Sequence, residues 1–590
     1  MINNCEEGTK QLLKDSEKES KINYFIEIAK KFEQENNRES AIENIKKALN
    51  IFNVSDKDDR IVEFNIKIGD LYQINGDLDN SLKYFQKAYE IAVLLENKKL
   101  QIDVLIKIAE LYFSKSELEK STEYADMVEE LLKEVDYTQG KLDLSMYWLK
   151  IYYLKNQYIK AREIGNQALK LCGDKYIIYK GRILNALSKL TSSITSVEEQ
   201  IELLHQSLEC FKEVNFTRGI LGVTNNIGVV YSEKMQNQEK ALEYLLDLIK
   251  LSEEYGYEEF QMFGNSNIGE VYLRSCRYEE ALYYGKEAME KAKKIHMQNY
   301  LFYEYVFLIN VYLKMKNYPK AYEYFKISTE ELKVYPNQGL FSAWYYRATA
   351  NLFLEFGDIN QAKKNIKQAL TILGNDETIG KWDTGIVFEF IKLKEAKNKR
   401  EILNSIQAIK YMLSKYTSSD IILNIVYEVA LEMICSGNKE IALKLIDDYK
   451  YLKIEQEHIR IKKIYIDYIT CECNEHKNIE KLMEAYEISM KIKDKKIHRM
   501  VCSSLGDYYF EEKNYSKAME YYNDACEEIK DTILSVPEEF RIQFFNFHNL
   551  IKYYKRYIMI KQNIYKKGND DFCKYEVIKN HDELMDVLNM

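Results

Sequence analysis

Four asparagines, Asn226, Asn267, Asn310 and Asn351, recur at steps of about forty residues through the middle of the chain. A primary amide carries both a donor and an acceptor, so a row of them can hold the N–H and C=O groups of an extended peptide without reading its side chains. Between them lie Arg274, Lys314 and Arg347, cations that suit an acidic group or a free carboxylate. Phe263, Tyr303, Phe307 and Trp344 suit apolar pockets. Both kinds of contact are needed, because four amide hydrogen bonds contribute only about 1 kcal/mol each, against roughly 8 kcal/mol for micromolar binding. The same amides can instead solvate a groove or cap neighbouring turns.

Reaction chemistry has no such pattern. The chain lacks a P-loop, HExxH, GxSxG or a Rossmann glycine run, and its seven histidines are dispersed away from any nucleophile. Neither catalysis nor a cofactor is expected. Cys471-x-Cys473-x-x-His476 contains zinc-type ligands, but its spacing is not that of a finger. Two cysteines two apart point to different faces of a helix, and no second pair lies nearby, so they read as core residues.

The elements that must present these side chains follow from the stretch Asn265 to Ala288, NSNIGEVYLRSCRYEEALYYGKEA. Ile268, Gly269 and Tyr272 share a face of one short helix, and Ala281, Gly285 and Ala288 share a face of the next. Small residues fall where the two helices cross, since only they let backbones approach closely. The position that opens each second helix recurs as Ala41, Ser81, Ser121, Ala161, Ile201, Ala241, Ala281, Ala321, Ala362, Ile402, Ala442, Leu482 and Ala518, nearly always 40 residues apart. The matching position of the first helices includes Ala29, Gly69, Ala109, Gly228, Gly269, Ala350, Ala430 and Gly506, commonly followed three residues later by Tyr or Phe.

This pattern resembles the tetratricopeptide repeat superfamily over about thirteen repeats, residues 22 to 534. The 40-residue period is similar to that of kinesin light chains and of bacterial peptide-pheromone sensors. The resemblance implies that first helices line a concave, broad groove, with Asn226, Asn267, Asn310 and Asn351 facing it. The sensors generally carry a DNA-binding helix-turn-helix or a phosphatase-like bundle before the repeats. Here the register begins by about residue 22, so a DNA role would need a partner protein. The phrase SVPEEFRIQFFN is also similar to the close of the repeat region in bacterial regulators that join such repeats to kinase, GAF or cyclase modules.

Composition is consistent with a solenoid. Only three prolines interrupt 590 residues that are 46% hydrophobic, so helices run unbroken. A net charge of -9 argues against direct nucleic-acid binding, and no apolar run is long enough for a membrane helix. A polar amino terminus without a signal-peptide core points to the cytoplasm. The ten cysteines, among them Cys5, Cys172, Cys210, Cys276 and Cys435, read as reduced core residues.

The expected architecture is all-α: a right-handed superhelical α-solenoid of about thirteen helix hairpins with a C-terminal capping helix. Its segments are a polar amino-terminal stretch (1–21), repeats one to five (22–212), repeats six to nine with the candidate groove (213–372), degenerate repeats ten to thirteen (373–534), the capping helix (535–562) and a Lys-rich tail (563–590). Bulk at the crossing points of the fifth, tenth and twelfth repeats marks the boundaries. Ser535 with Glu538 reads as a capping box that starts the terminal helix, with Pro537 in its first turn. Leu584, Met585 and Leu588 suit one turn of docking helix, and Lys552, Lys555, Arg556, Lys561, Lys566 and Lys567 a solvated face. The function expected is a scaffold or regulatory sensor that binds a peptide or protein segment. The alternative is a peptide-responsive regulator acting through a separate output protein. Oligomers are compatible with either.

Overall fold

The computed structural model describes the chain except residues 1, 35–36, 53–56, 116, 191–195, 337–338, 375–378, 455, 472–478, 493–494, 562–576 and 590, and except the side chains of residues 2–15, 34 and 379. All regular structure among the described residues is helical. Thirteen hairpins follow in order: α1 (Ile2–Gln34) with α2 (Arg38–Leu49), α3 (Asp59–Ile74) with α4 (Leu78–Leu94), α5 (Lys98–Ser114) with α6 (Leu118–Glu134), α7 (Thr138–Leu154) with α8 (Tyr158–Cys172), and α9 (Ile177–Ser188) with α10 (Val197–Glu213). Then come α11 (Thr217–Glu233) with α12 (Gln238–Glu254), α13 (Glu258–Arg274) with α14 (Tyr278–Lys294), α15 (Gln298–Lys314) with α16 (Tyr318–Val334), and α17 (Leu340–Glu355) with α18 (Ile359–Leu373). The last are α19 (Ile379–Glu395) with α20 (Lys399–Leu413), α21 (Ser419–Cys435) with α22 (Lys439–Asp447), α23 (Glu457–Thr470) with α24 (Ile479–Ile492), and α25 (Lys495–Glu511) with α26 (Tyr515–Ser535). A 3-10 turn (Glu538–Phe540), α27 (Arg541–Phe547), α28 (Ile551–Lys561) and α29 (His581–Leu588) close the chain. Residues 1–227 and 228–590 form two compact units, divided within α11.

Within a hairpin the joint is a two-residue device. One residue in the left-handed region ends the first helix, and the next caps the second. Gly76, Gln236, Lys316, Gly357 and Lys513 have φ of 80°, 51°, 56°, 85° and 60°. The side chains that follow, Asp77, Asn237, Asn317, Asp358 and Asn514, each accept the N–H three residues on. Each such cap contributes about 1 kcal/mol. This joint ends a helix without the proline that usually closes the repeat, and it employs many of the chain's asparagines.

In three hairpins a bulky side chain of the second helix fills the slot left by a glycine of the first. An added Cβ on Gly69 would sit 2.4 Å from the Phe85 ring, on Gly228 2.7 Å from Leu245, and on Gly506 2.6 Å from Tyr522. Two tyrosines also stack in several hairpins: Tyr72 on Tyr84, Tyr112 on Tyr124, Tyr231 on Tyr244, Tyr272 on Tyr284, Tyr312 on Tyr324 and Tyr509 on Tyr521, with centroids 5.4 to 5.7 Å apart. A cation rests on five of these pairs: Lys46, Lys120, Lys240, Arg277 and Lys517. Tyrosine's abundance therefore has a structural cause.

Two expectations are corrected at the C-terminal end. Ser535 does not cap a new helix. It is the last residue of α26, where its hydroxyl donates to the Thr532 carbonyl at 2.6 Å, and Val536 runs extended before Pro537. The terminal segment is also not one helix. α28 covers α26, the Tyr554 hydroxyl donating to the Cys526 carbonyl, whereas the 3-10 turn and α27 return to much earlier hairpins. Phe540 stacks on Phe356 at 4.9 Å, Gln543 donates to the Gly357 carbonyl, and the imidazole of His548 bonds the Glu355 carbonyl. Leu584 and Leu588 are buried in α29, which Asn546 anchors through the Ile578 backbone.

The seven described cysteines are free. Cys172, Cys210, Cys502 and Cys526 are buried, but Cys435 and Cys471 are exposed, and Cys276 forms a left-handed joint instead of core. Cys473, His476, Lys566 and Lys567 lie outside the described residues. Arg556 of the basic cluster pairs with Asp507. No described helix is long and apolar enough to cross a membrane.

Candidate functional site

In the second unit the first helices of successive hairpins lie side by side, and their shared face carries a connected set of polar groups. Asn267, Glu270 and Arg274 follow at three- and four-residue steps along α13, so they share a stripe. Tyr303, Asn310 and Lys314 do so on α15, and Trp344, Arg347 and Asn351 on α17. The Tyr303 hydroxyl donates to Glu270 at 2.8 Å, and the Ser266 hydroxyl to Glu304 at 2.5 Å, which ties α13 to α15. At the start of the same helices Phe263, Tyr300, Phe341 and Tyr303 form an aromatic row with neighbouring centroids 4.9 to 5.5 Å apart.

Arg347 reaches α19, and Arg274 faces Glu233 of α11. Arg347 lies flat on Trp344, its guanidinium 4.8 Å from the ring, and reaches Asp383 at 3.5 Å. Gly380 lets the indole in, for a Cβ there would stand 2.2 Å from it. Asp383 accepts the Tyr416 hydroxyl at 2.5 Å. Loss of hydration opposes the charge on Arg274, but Asp383 foremost, then Glu233 and Glu270, outweigh it and hold the proton more tightly. Arg274 nonetheless makes no hydrogen bond to a described residue. Its ion pair, to Glu233, is 3.9 Å long, and 21% of its side chain is accessible. Its N–H donors therefore stay available to an acceptor that reaches this face.

The face also closes on itself. The side-chain amide oxygen of Gln236 accepts the backbone N–H groups of Thr417 and Ser418 at 3.1 and 2.6 Å, joining the α11–α12 turn to the start of α21. Where an open groove is expected, the second unit joins its sixth and eleventh hairpins.

The residues singled out from sequence separate accordingly. Arg347 reaches Asp383, and Arg274 pairs with Glu233. Lys314 is exposed and makes no ion pair with a described residue. Asn351 is half-buried and Asn267 shares the stripe of Glu270 and Arg274, while Asn310 is turned back on the Val306 carbonyl at 3.4 Å. Asn226 belongs to the first unit and donates to Asn185 there. Phe307 is not at the surface of the face. It is 2% exposed, with its ring in the slot left by Gly285 and Gly269. Asp383, Tyr416, Gln236, Glu233 and Glu270 were not foreseen. The register held a signal for one of them: Glu233, like Arg274, Lys314 and Glu355, falls five residues after the crossing position of its repeat.

A nucleophile-like grouping occurs elsewhere. His498 lies 3.5 Å from the Cys502 sulfur and 2.8 Å from the Ser489 hydroxyl. Cys502 is fully buried, and burial pushes its thiol up to about 12, opposite to what a nucleophile needs.

The fold and this face define a helical-hairpin repeat protein. Residues 501–532 match the tetratricopeptide repeat family model, and residues 6–160 match that of the soluble NSF attachment protein, SNAP. In these two stretches, and in its succession of helical hairpins, the chain is similar to tetratricopeptide-type repeat proteins. Neither model is that of a catalytic family. No curated protein matches the chain. Among solved structures it is similar to the apo form of RapI, at 19% identity over 46% of this chain and 97% of that one, with a TM-score of 0.39. A Rap protein complexed with competence and sporulation factor gives 15% identity, 63% and 99% coverage and 0.43. The APC/C heterotetramer Cut9–Hcn1 gives 12%, 93% and 96%, and 0.42.

Proposed function

We propose that this protein binds an extended peptide or protein segment along the shared face of α13, α15 and α17, and that Arg274 and Lys314 take an acidic group or free carboxylate of the ligand. The observation that carries this is Arg274: a guanidinium four-fifths buried, with no hydrogen-bond acceptor among the described residues and one long ion pair. A carboxylate is the acceptor whose geometry a guanidinium fork matches. Asn267 and Asn351 lie in the register to hold backbone amides, and the row Phe263, Tyr300 and Phe341 offers apolar area, which must supply most of the affinity.

The test is affinity capture from a cell lysate with wild type and with Arg274→Gln combined with Lys314→Gln, after checking that both melt alike. Loss of a captured partner in the double variant is expected. An unchanged set of partners removes this face as the recognition surface.

A further inference from the structure

Asp383 stands where a ligand carboxylate would stand. It comes from α19 and reaches Arg347 at 3.5 Å, and its charge also favours the protonated form of Arg274. It is not itself a buried structural ion: about a third of its side chain is accessible. Its place is fixed from the opposite side by the Tyr416 hydroxyl, and Tyr416 is buried. The next two residues, Thr417 and Ser418, are the pair whose amides Gln236 holds. Three consecutive residues thus connect Asp383 to the joint that closes the second unit.

We propose that Asp383 is a built-in competitor: an acidic ligand held by Arg274 binds by displacing the Asp383 carboxylate from Arg347, and that displacement loosens Tyr416 and opens the joint between Gln236 and residues 417–418. This rests on the peptide-binding reading above and adds how the site is regulated. The weakness of the internal pairs is what makes exchange feasible. Arg347 and Asp383 at 3.5 Å, and Arg274 and Glu233 at 3.9 Å, are both longer than the 2.7–2.9 Å of a well-formed charge-assisted bond. A ligand carboxylate that makes two short bonds to one guanidinium outcompetes them. Because Asp383, Tyr416 and the joint are in series, occupation of the site is conveyed from α13 to the start of α21, a coupling through one two-state contact.

The experiment uses the full chain and two pools of random decapeptides, one with free carboxyl termini and one amidated. Wild type is expected to retain more peptide from the free pool. Asp383→Asn, which keeps the shape but removes the charge and leaves Tyr416 a weaker, neutral acceptor, is expected to retain about tenfold more of the free pool, and Arg274→Gln to abolish the difference between pools. Independently of ligand, hydrogen exchange at the Thr417 and Ser418 amides is expected to speed up about tenfold in Asp383→Asn while exchange in α3 to α8 is unchanged. Retention that Asp383→Asn leaves at the wild-type level, with the two amides exchanging at the wild-type rate, sinks the competition alone. If no variant retains any peptide from either pool, the peptide-binding reading falls and the competition falls with it.

Discussion

Glu304 shows how far a single side chain can depart from what its neighbours in sequence suggest. It is 1% exposed, one oxygen accepts the Ser266 hydroxyl, and the other has no partner among the described residues. Burial chiefly, with the charge of Glu270 adding to it, pushes the carboxyl up to about 8 against the pull of the serine. It is therefore protonated at neutral pH, and the folded state binds a proton that the unfolded chain releases near pH 4.5. The stability that follows is complete below that pH and is lost as pH rises to about 8. Glu304→Gln should thus unfold at a urea midpoint that varies less than wild type between pH 5 and 8, and should be the more stable of the two at pH 8. Parallel midpoints across that range would mean that the carboxyl does not titrate there. In sequence Glu304 sits in the run LFYEYVFLIN, where a lone acid among apolar residues is the only sign. Its burial depends on α13 laying Ser266 over it, which is not a local property.

At the scale of the helix, the repeat's small residues were legible and their use was only partly so. Ala281 and Ala288 are fully buried where spacing predicts. Gly285 was read as a crossing residue that lets backbones approach, yet its slot accommodates a ring from the next hairpin. Phe307 fills it, and a Cβ at Gly285 would lie 2.5 Å from that ring. Gly285→Ala should therefore destabilise the second unit by about 1–3 kcal/mol through overpacking, despite alanine's better helix propensity. Combining it with Phe307→Leu, which shortens the intruding group, should recover part of the loss in urea denaturation. If Gly285→Ala is neutral or stabilising, the slot is not filled as described. The joints between paired helices were missed as a class. A left-handed residue followed by Asp or Asn is a strong signal, but attention to the groove assigned asparagine to ligand contact before capping.

For the chain as a whole, the decisive contacts are those between hairpins far apart. His548 bonds the Glu355 carbonyl, and beside it Gly357 sits with φ 85° so close to α27 that a Cβ would meet Phe547 at 2.6 Å. The groups that face His548 are Glu355, which favours its charge, and Arg499 and Lys394, which disfavour it. Burial is the largest cause and holds the imidazole down to about 4. The neutral ring's contribution is thus present above about pH 6.5 and is lost as pH falls towards 4. His548→Gln, which retains a donor without a titration, should give a urea midpoint less sensitive to pH between 6.5 and 4.5 than wild type. Equal sensitivity would assign the acid response to other groups.

The period, the helical class, the crossing residues and the charged register five positions beyond them are determined by the sequence itself, because each arises within one hairpin and its neighbour, over about forty residues. The pairing of Arg347 with Asp383, the joint between Gln236 and Ser418 (182 residues apart) and the return of Gln543 to Gly357 (186 apart) were decided only in three dimensions. The physical reason is accumulation. Each hairpin adds a small rotation to the last, and where a curved array meets itself depends on the sum of all of them, which no single repeat encodes.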